Sequence, residues 1–179
     1  IELVGQYKDA CLNQNRQFIA WLIDNPQINT VILHSYWHSK SYYFRDKSGV
    51  KQLVVGNELK IQLENTVRIL QKLGRNVIII GPIPNSPVTP KRLALIKWHG
   101  DNPHIYNSYA KFKSDTKNYN NAVIGFSGNK NVAILNPSNW LCRLNECLYL
   151  NSGEILYKDA NHINAFGARF LAPRLAIEL

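Results

Sequence analysis

Apolar positions along this chain follow two rhythms. Three short β-branched runs, Thr30–His34, Val77–Ile80 and Asn131–Leu135, are long enough for buried strands and too short for helices. Between them apolar residues recur at helical spacing. Phe18, Ile19, Leu22 and Ile23, with Trp21 beside them, predict a helix from about Asn15 to Ile23, stopped by Asn25-Pro26. Leu59, Leu63, Val67, Leu70 and Leu73 predict a second, capped by Asn57 and ended by Gly74. Lys91–Trp98 reads as a short helix. Asn102-Pro103 opens another that carries Ile105, Tyr109 and Phe112, and Tyr119–Ser127 either continues it or stands apart. Leu148–Leu150 and Ile155–Tyr157 flank Asn151-Ser152-Gly153 as a hairpin. A last helix runs from about Asn164 to Ile177, with a kink expected at Pro173, and Ile1–Gly5 suggests a short strand.

Strand and helix alternate at least three times, which predicts an α/β fold: one domain over residues 1–179, with an open, mostly parallel sheet and flanking helices. In such sheets chemistry gathers beyond the carboxyl ends of the strands. Four loops are expected there: Ser35–Ser39, Gly81–Pro87, Asn136–Trp140 and Asp159–His162.

Composition changes this picture little. A chain of 179 residues with 45% hydrophobic and 18% charged residues can bury one ordinary core. No apolar run approaches the roughly 20 residues of a membrane span. No secretory signal pattern stands at the amino terminus. Methionine is absent and the chain opens on Ile1, so it reads as a processed or incompletely represented polypeptide. The net charge of +9 suits an anionic partner, but the basic residues are scattered and no nucleic-acid-binding signature accompanies them. A nucleic-acid partner is therefore not expected. Of three cysteines, Cys142 and Cys147 bracket a short polar loop, a spacing open to a local disulfide or to two reduced thiols. Cys11 is left over.

The densest chemistry lies near the carboxyl end, in Asp159-Ala160-Asn161-His162. If the backbone turns there, the carboxylate can accept from one ring nitrogen of His162, leaving the other to take a proton from a hydroxyl. The competing reading makes Asp159 a turn residue and His162 a surface side chain, because D-x-x-H alone is short and common. His34 and His38 have a spacing that serves a metal on a helix, not at a strand end, so neither metal nor cofactor is expected.

The block from Leu156 to Ala168, behind the cysteine pair and the hairpin, resembles the closing block of the SGNH hydrolase superfamily. More narrowly, it resembles the periplasmic SGNH domain fused to membrane acyltransferases of the acyltransferase-3 type. Val31-Ile32-Leu33-His34-Ser35-Tyr36-Trp37 and Val77-Ile78-Ile79-Ile80-Gly81-Pro82-Ile83-Pro84 are similar to that group's strand ending in Trp and its strand followed by prolines.

The resemblance implies an SGNH/flavodoxin-like sheet and a Ser-His-Asp relay that moves acyl groups, usually acetyl, onto or off carbohydrate hydroxyls. Asp159 matches the orienting carboxylate and His162 the general base. The family's Gly-Asp-Ser is missing, as is its Gly-x-Asn, where Ser35-Tyr36-Trp37 stands instead. The first strand and its serine are then expected upstream of Ile1, or the chain has lost acyl chemistry. Ser35 is the best placed internal serine, although no glycine-flanked turn exposes it. His34, Tyr36 and Trp37 are candidate substrate-binding residues, with Trp37 either walling a sugar site or packing the core. The implied partners are an acyl donor, a carbohydrate or lipopolysaccharide-type acceptor, and an upstream membrane acyltransferase domain. The implied location is the periplasmic or extracellular face, tethered to the inner membrane. A carbohydrate O-acyl esterase and a non-catalytic glycan-binding module are the alternatives.

Overall fold

The structure is a computed structural model, described for residues 3–4, 10–38, 43–45, 51–53, 57–98 and 107–177. It is mixed α/β, and its residues group into two compact units.

The first unit comprises Ile1–Ile80 and Asp115–Ile134. The predicted β-branched runs form a parallel three-stranded sheet, with Asn76–Ile80 between Thr30–His34 and Val132–Leu135. Thr30 to His34 pair in step with Asn76 to Ile80. Strand alternation sends Val31, Val77 and Ile79 into the core, where they meet Leu59, Leu63, Val67 and Leu70 of the helix Glu58–Lys72. Tyr119, Ala122, Val123 and Phe126 complete that core, so Tyr119–Ser127 is not a continuation of the preceding helix. It forms a helix over Lys117–Val123 and a 3₁₀ turn over Ile124–Phe126. Leu3–Val4, Tyr43–Arg45 and Lys51–Leu53 form a separate antiparallel sheet.

Two local expectations change. The first helix is longer than its apolar pattern, Ala10–Asp24. Its packed stripe is Ile19 and Leu22, whereas Phe18, Trp21 and Ile23 are exposed. Asn57 occupies the N-cap position of Glu58–Lys72 but makes no side-chain capping bond. The other end behaves as its glycine predicts. Gly74 takes φ +73°, its N–H reaches Gln71 O at 2.9 Å, and Arg75 N–H reaches Leu70 O at 3.0 Å. This is the paired 5→2 and 6→1 closure that a left-handed residue permits.

Arg75 then does something its sequence neighbourhood does not announce. Its buried guanidinium donates to Leu22 O at 2.7 Å and Pro26 O at 3.0 Å, satisfying carbonyls at the end of Ala10–Asp24. Arg75→Ala orphans those acceptors and is expected to destabilise the protein by about 3 kcal/mol, because bonds to charged groups are the strong ones. Urea midpoints check this; a loss below about 1 kcal/mol would show that water replaces the cation.

The second unit comprises Gly81–Ser114 and Leu135–Leu179. Its core joins Leu93 of the helix Pro90–Trp98 and Leu171 of the helix Ala165–Ile177 to Leu141, Tyr149, Leu156 and Tyr157. Pro173 lies inside the last helix. The expected hairpin pairs Leu150–Asn151 with Glu154–Ile155. Its turn residues Ser152 and Gly153 both have positive φ, 49° and 82°, as a tight right-twisting hairpin requires. The open question about the cysteines is answered: Cys142 and Cys147 form a disulfide across two short paired strands. Of the expected helix from Asn102-Pro103, residues through Tyr106 lie outside the described residues. Asn107–Ser108 is a short strand, and Tyr109–Asp115 is helical. The side chain of Cys11 also lies outside them.

Candidate active site

The Asp159–His162 turn is built by its own side chains. Asp159 Oδ1 accepts from Asn161 N–H at 2.9 Å and His162 N–H at 2.8 Å, closing the turn that four residues of sequence only suggested. That closure puts His162 Nδ1 2.8 Å from Oδ2 and 2.9 Å from Oδ1. A carboxylate can only accept, so Nδ1 carries the hydrogen and Nε2 keeps its lone pair. Nε2 has no hydrogen-bond partner among the described residues.

The Asn161 N–H is the largest cause holding the Asp159 carboxyl below the usual carboxylate range, and the His162 ring and N–H add to it. The carboxylate therefore stays ionised wherever the imidazole can act as a base. The side chains of His162 and Asp159 are 69% and 48% exposed, so their mutual attraction adds little to stability. What it fixes is the tautomer.

The surrounding backbone holds the turn from both sides. Lys158 N–H donates to His162 O at 2.8 Å, and Tyr157 bridges to Ile163. On the other side the proline-rich loop reaches it. Ser86 N–H donates to Ala160 O at 2.7 Å, and the buried Tyr157 hydroxyl donates to Pro84 O at 2.7 Å. Burial raises the Tyr157 hydroxyl far above the normal phenol range, so it remains a donor.

Asn164 and Gly167 tie the turn to the final helix, and the sequence reading assigned neither a role. Asn164 Oδ1 accepts from Gly167 N–H at 2.9 Å as an N-cap, while its Nδ2 donates to Ile155 O at 2.6 Å and to Tyr157 O at 3.3 Å. One side chain thus starts the helix and fastens it to the strand segment before the dyad. A Cβ on Gly167 would fall well inside contact with the Leu156 carbonyl oxygen and the Ile163 side chain. The signal was present: an Asn three residues before a Gly, just where an apolar helical run begins.

The remaining candidates lie in the first unit. His34 is exposed, with Nδ1 3.1 Å from Ile80 O. Ser35 and Tyr36 are exposed. Trp37 is 3% exposed, donates to Ile80 O at 2.8 Å, and packs against Tyr119 with ring centroids 5.0 Å apart. The outward-facing aromatic ring of that loop is Tyr36, whose ring lies 5.2 Å from that of His38. Among the described residues no cluster of three or more His, Cys, Asp or Glu could hold a metal. No described helix is long and apolar enough to cross a membrane.

Residues 2–176 match the family described as the SGNH domain fused to AT3 domains. Among solved structures, the periplasmic domain of a lipopolysaccharide acetyltransferase from Salmonella ser. Paratyphi A is similar, with a TM-score of 0.65 at 18% identity. The match covers 98% of this chain and 67% of that one. No curated protein matches the chain.

Proposed function

This chain belongs to the family of SGNH domains fused to AT3 domains, and we propose that it carries the acid and base of an extracytoplasmic O-acyltransferase acting on carbohydrate. One observation carries the reading: His162 Nδ1 lies 2.8 Å from an ionised Asp159, which leaves Nε2 basic and open. The nucleophile in this reading is a serine upstream of Ile1. Its Oγ attacks the donor's acyl carbon as Nε2 takes the hydroxyl proton. The donor's leaving group departs with that proton, leaving an acyl-serine and a neutral imidazole. A sugar hydroxyl then gives its proton to Nε2 and attacks the acyl carbon, and the serine oxygen leaves and recovers the proton. Asp159 steadies the imidazolium formed in each half.

The likeness to a lipopolysaccharide acetyltransferase domain supports a glycan as acceptor and acetyl as the group moved. Fusion to AT3 domains in the family supports a membrane acyltransferase partner and a place on the periplasmic face. The same relay with water as acceptor is a carbohydrate esterase, and the exposure of His162 favours keeping that second reading, since water reaches the base.

A fluorophosphonate probe applied to the full-length protein tests the proposal. One serine, upstream of Ile1, is expected to be labelled, and acyl transfer should be lost in proportion to labelling. A full-length protein in which no serine reacts would sink the enzymatic reading and leave a glycan-binding module.

A further inference from the structure

The second unit carries an open groove of about 360 Å³, lined among the described residues by Ala94, Gly153, Glu154, Ile155, Asn164 and Phe166. That volume is at the small end of ligand sites and is ample for one sugar ring. Its chemistry is uneven. Ala94 and Gly153 leave space. Ile155 and Phe166 supply apolar walls, and Phe166 is 47% exposed. The polar atoms of Asn164 already serve Ile155, Tyr157 and Gly167, so its side chain offers a ligand at most the second lone pair of Oδ1. Glu154 is different: its carboxylate is exposed and makes no hydrogen bond or ion pair among the described residues. The Arg169 guanidinium lies over one face of the Phe166 ring, 5.5 Å from its centre, which steadies the ring.

We infer that this groove is a subsite for one uncharged sugar ring of the acceptor, stacked on Phe166 with hydroxyls donating to Glu154; the inference rests on the glycan-transfer reading above. The choice of occupant follows from the lining. An exposed carboxylate accepts from hydroxyls and repels a carboxylate or phosphate placed against the Glu154 end of the groove. An exposed aromatic face suits the apolar C–H side of a pyranose. An acyl chain would find too little apolar surface and an unpaired charge beside it. The groove and the dyad share a short stretch of chain, since Asn164 follows His162 by two residues and Phe166 by four.

Retention on immobilised polysaccharide tests this without chemistry. Full-length protein is passed over resin bearing the deacylated surface polysaccharide of the source cells, neutral mannan, or anionic polygalacturonate. Wild type is expected to be retained by a neutral glycan. Phe166→Ala and Glu154→Gln should each weaken that retention about tenfold, the size of one lost stacking or charged hydrogen-bond contact, with Phe166→Tyr restoring it. Polygalacturonate reads only the net positive charge and should release in about 0.5 M salt. Equal neutral-glycan retention by wild type and both variants overturns the subsite, as does a wild type that neither mannan nor the deacylated polysaccharide retains. Serine labelling reports the relay separately, so failure of one reading does not masquerade as failure of the other.

Discussion

Gly167→Ala is expected to destabilise the protein by about 2 kcal/mol, although the same change in an exposed helix interior stabilises by about 1 kcal/mol. Two effects oppose one another. Alanine gains helix propensity and restricts the unfolded chain. Against this, the new methyl group falls on the Leu156 carbonyl oxygen and the Ile163 side chain, and the first of these is backbone that cannot rotate away. Overpacking of this kind costs about 3 kcal/mol at the upper end, so the clash wins. Thermal unfolding should show a fall of about 4–8 °C for a chain of this size. Ala168→Gly, one residue along on the exposed side, is the matched control. It should lose about 1 kcal/mol by propensity alone. A Gly167→Ala variant more stable than wild type would mean that the final helix does not seat its backbone on Leu156.

That seating matters to the site. Leu156 O also accepts from Asn164 N–H at 2.9 Å, and Asn164 holds the carbonyls of Ile155 and Tyr157. Moving the helix outward by the width of a methyl pulls on both residues that flank His162, Asn161 through the turn and Ile163 through its bridge to Tyr157. The stability defect is thus expected to carry a loss of serine labelling larger than the unfolded fraction explains.

Much of this was legible in the sequence, for identifiable reasons. Thr30–His34 and Val77–Ile80 are β-branched runs bounded by turn signals, and they appear as strands to within a residue because nothing competes with that preference. The Asp159–His162 contact was readable because both partners lie within one turn, so local geometry alone brings them together. Features that depend on distant partners were not readable. Arg75 is an unremarkable cation until its carbonyl acceptors, about fifty residues earlier, fold against it. Phe18 and Ile23 look like core by spacing, yet the helix packs through Ile19 and Leu22, and periodicity does not say which stripe has a neighbour. Trp37 was balanced between pocket and core, and only its 2.8 Å bond to Ile80 O and its contact with Tyr119 show it seated among core residues.

Asp159→Asn is expected to slow serine labelling and acyl transfer by about 10³–10⁴-fold while leaving the unfolding midpoint close to that of wild type. The amide oxygen can still accept from Asn161 and His162 N–H, so the turn survives. Its NH₂ group, however, must donate to Nδ1. That forces the hydrogen onto Nε2 and removes the lone pair that accepts the serine proton. His162→Ala removes the base altogether and should be at least as severe. Acid should instead loosen the turn that Asp159 closes in the wild type. Because the folded-state carboxyl is held below its ordinary value, Asp159 contributes to the turn above the ordinary carboxylate range and loses that contribution only as pH falls through the depressed value. Labelling rates of the full-length variants, measured beside their unfolding midpoints, separate the cases. If Asp159→Asn reacts within about tenfold of wild type, the carboxylate is a turn residue only, and His162 is not the base of a relay.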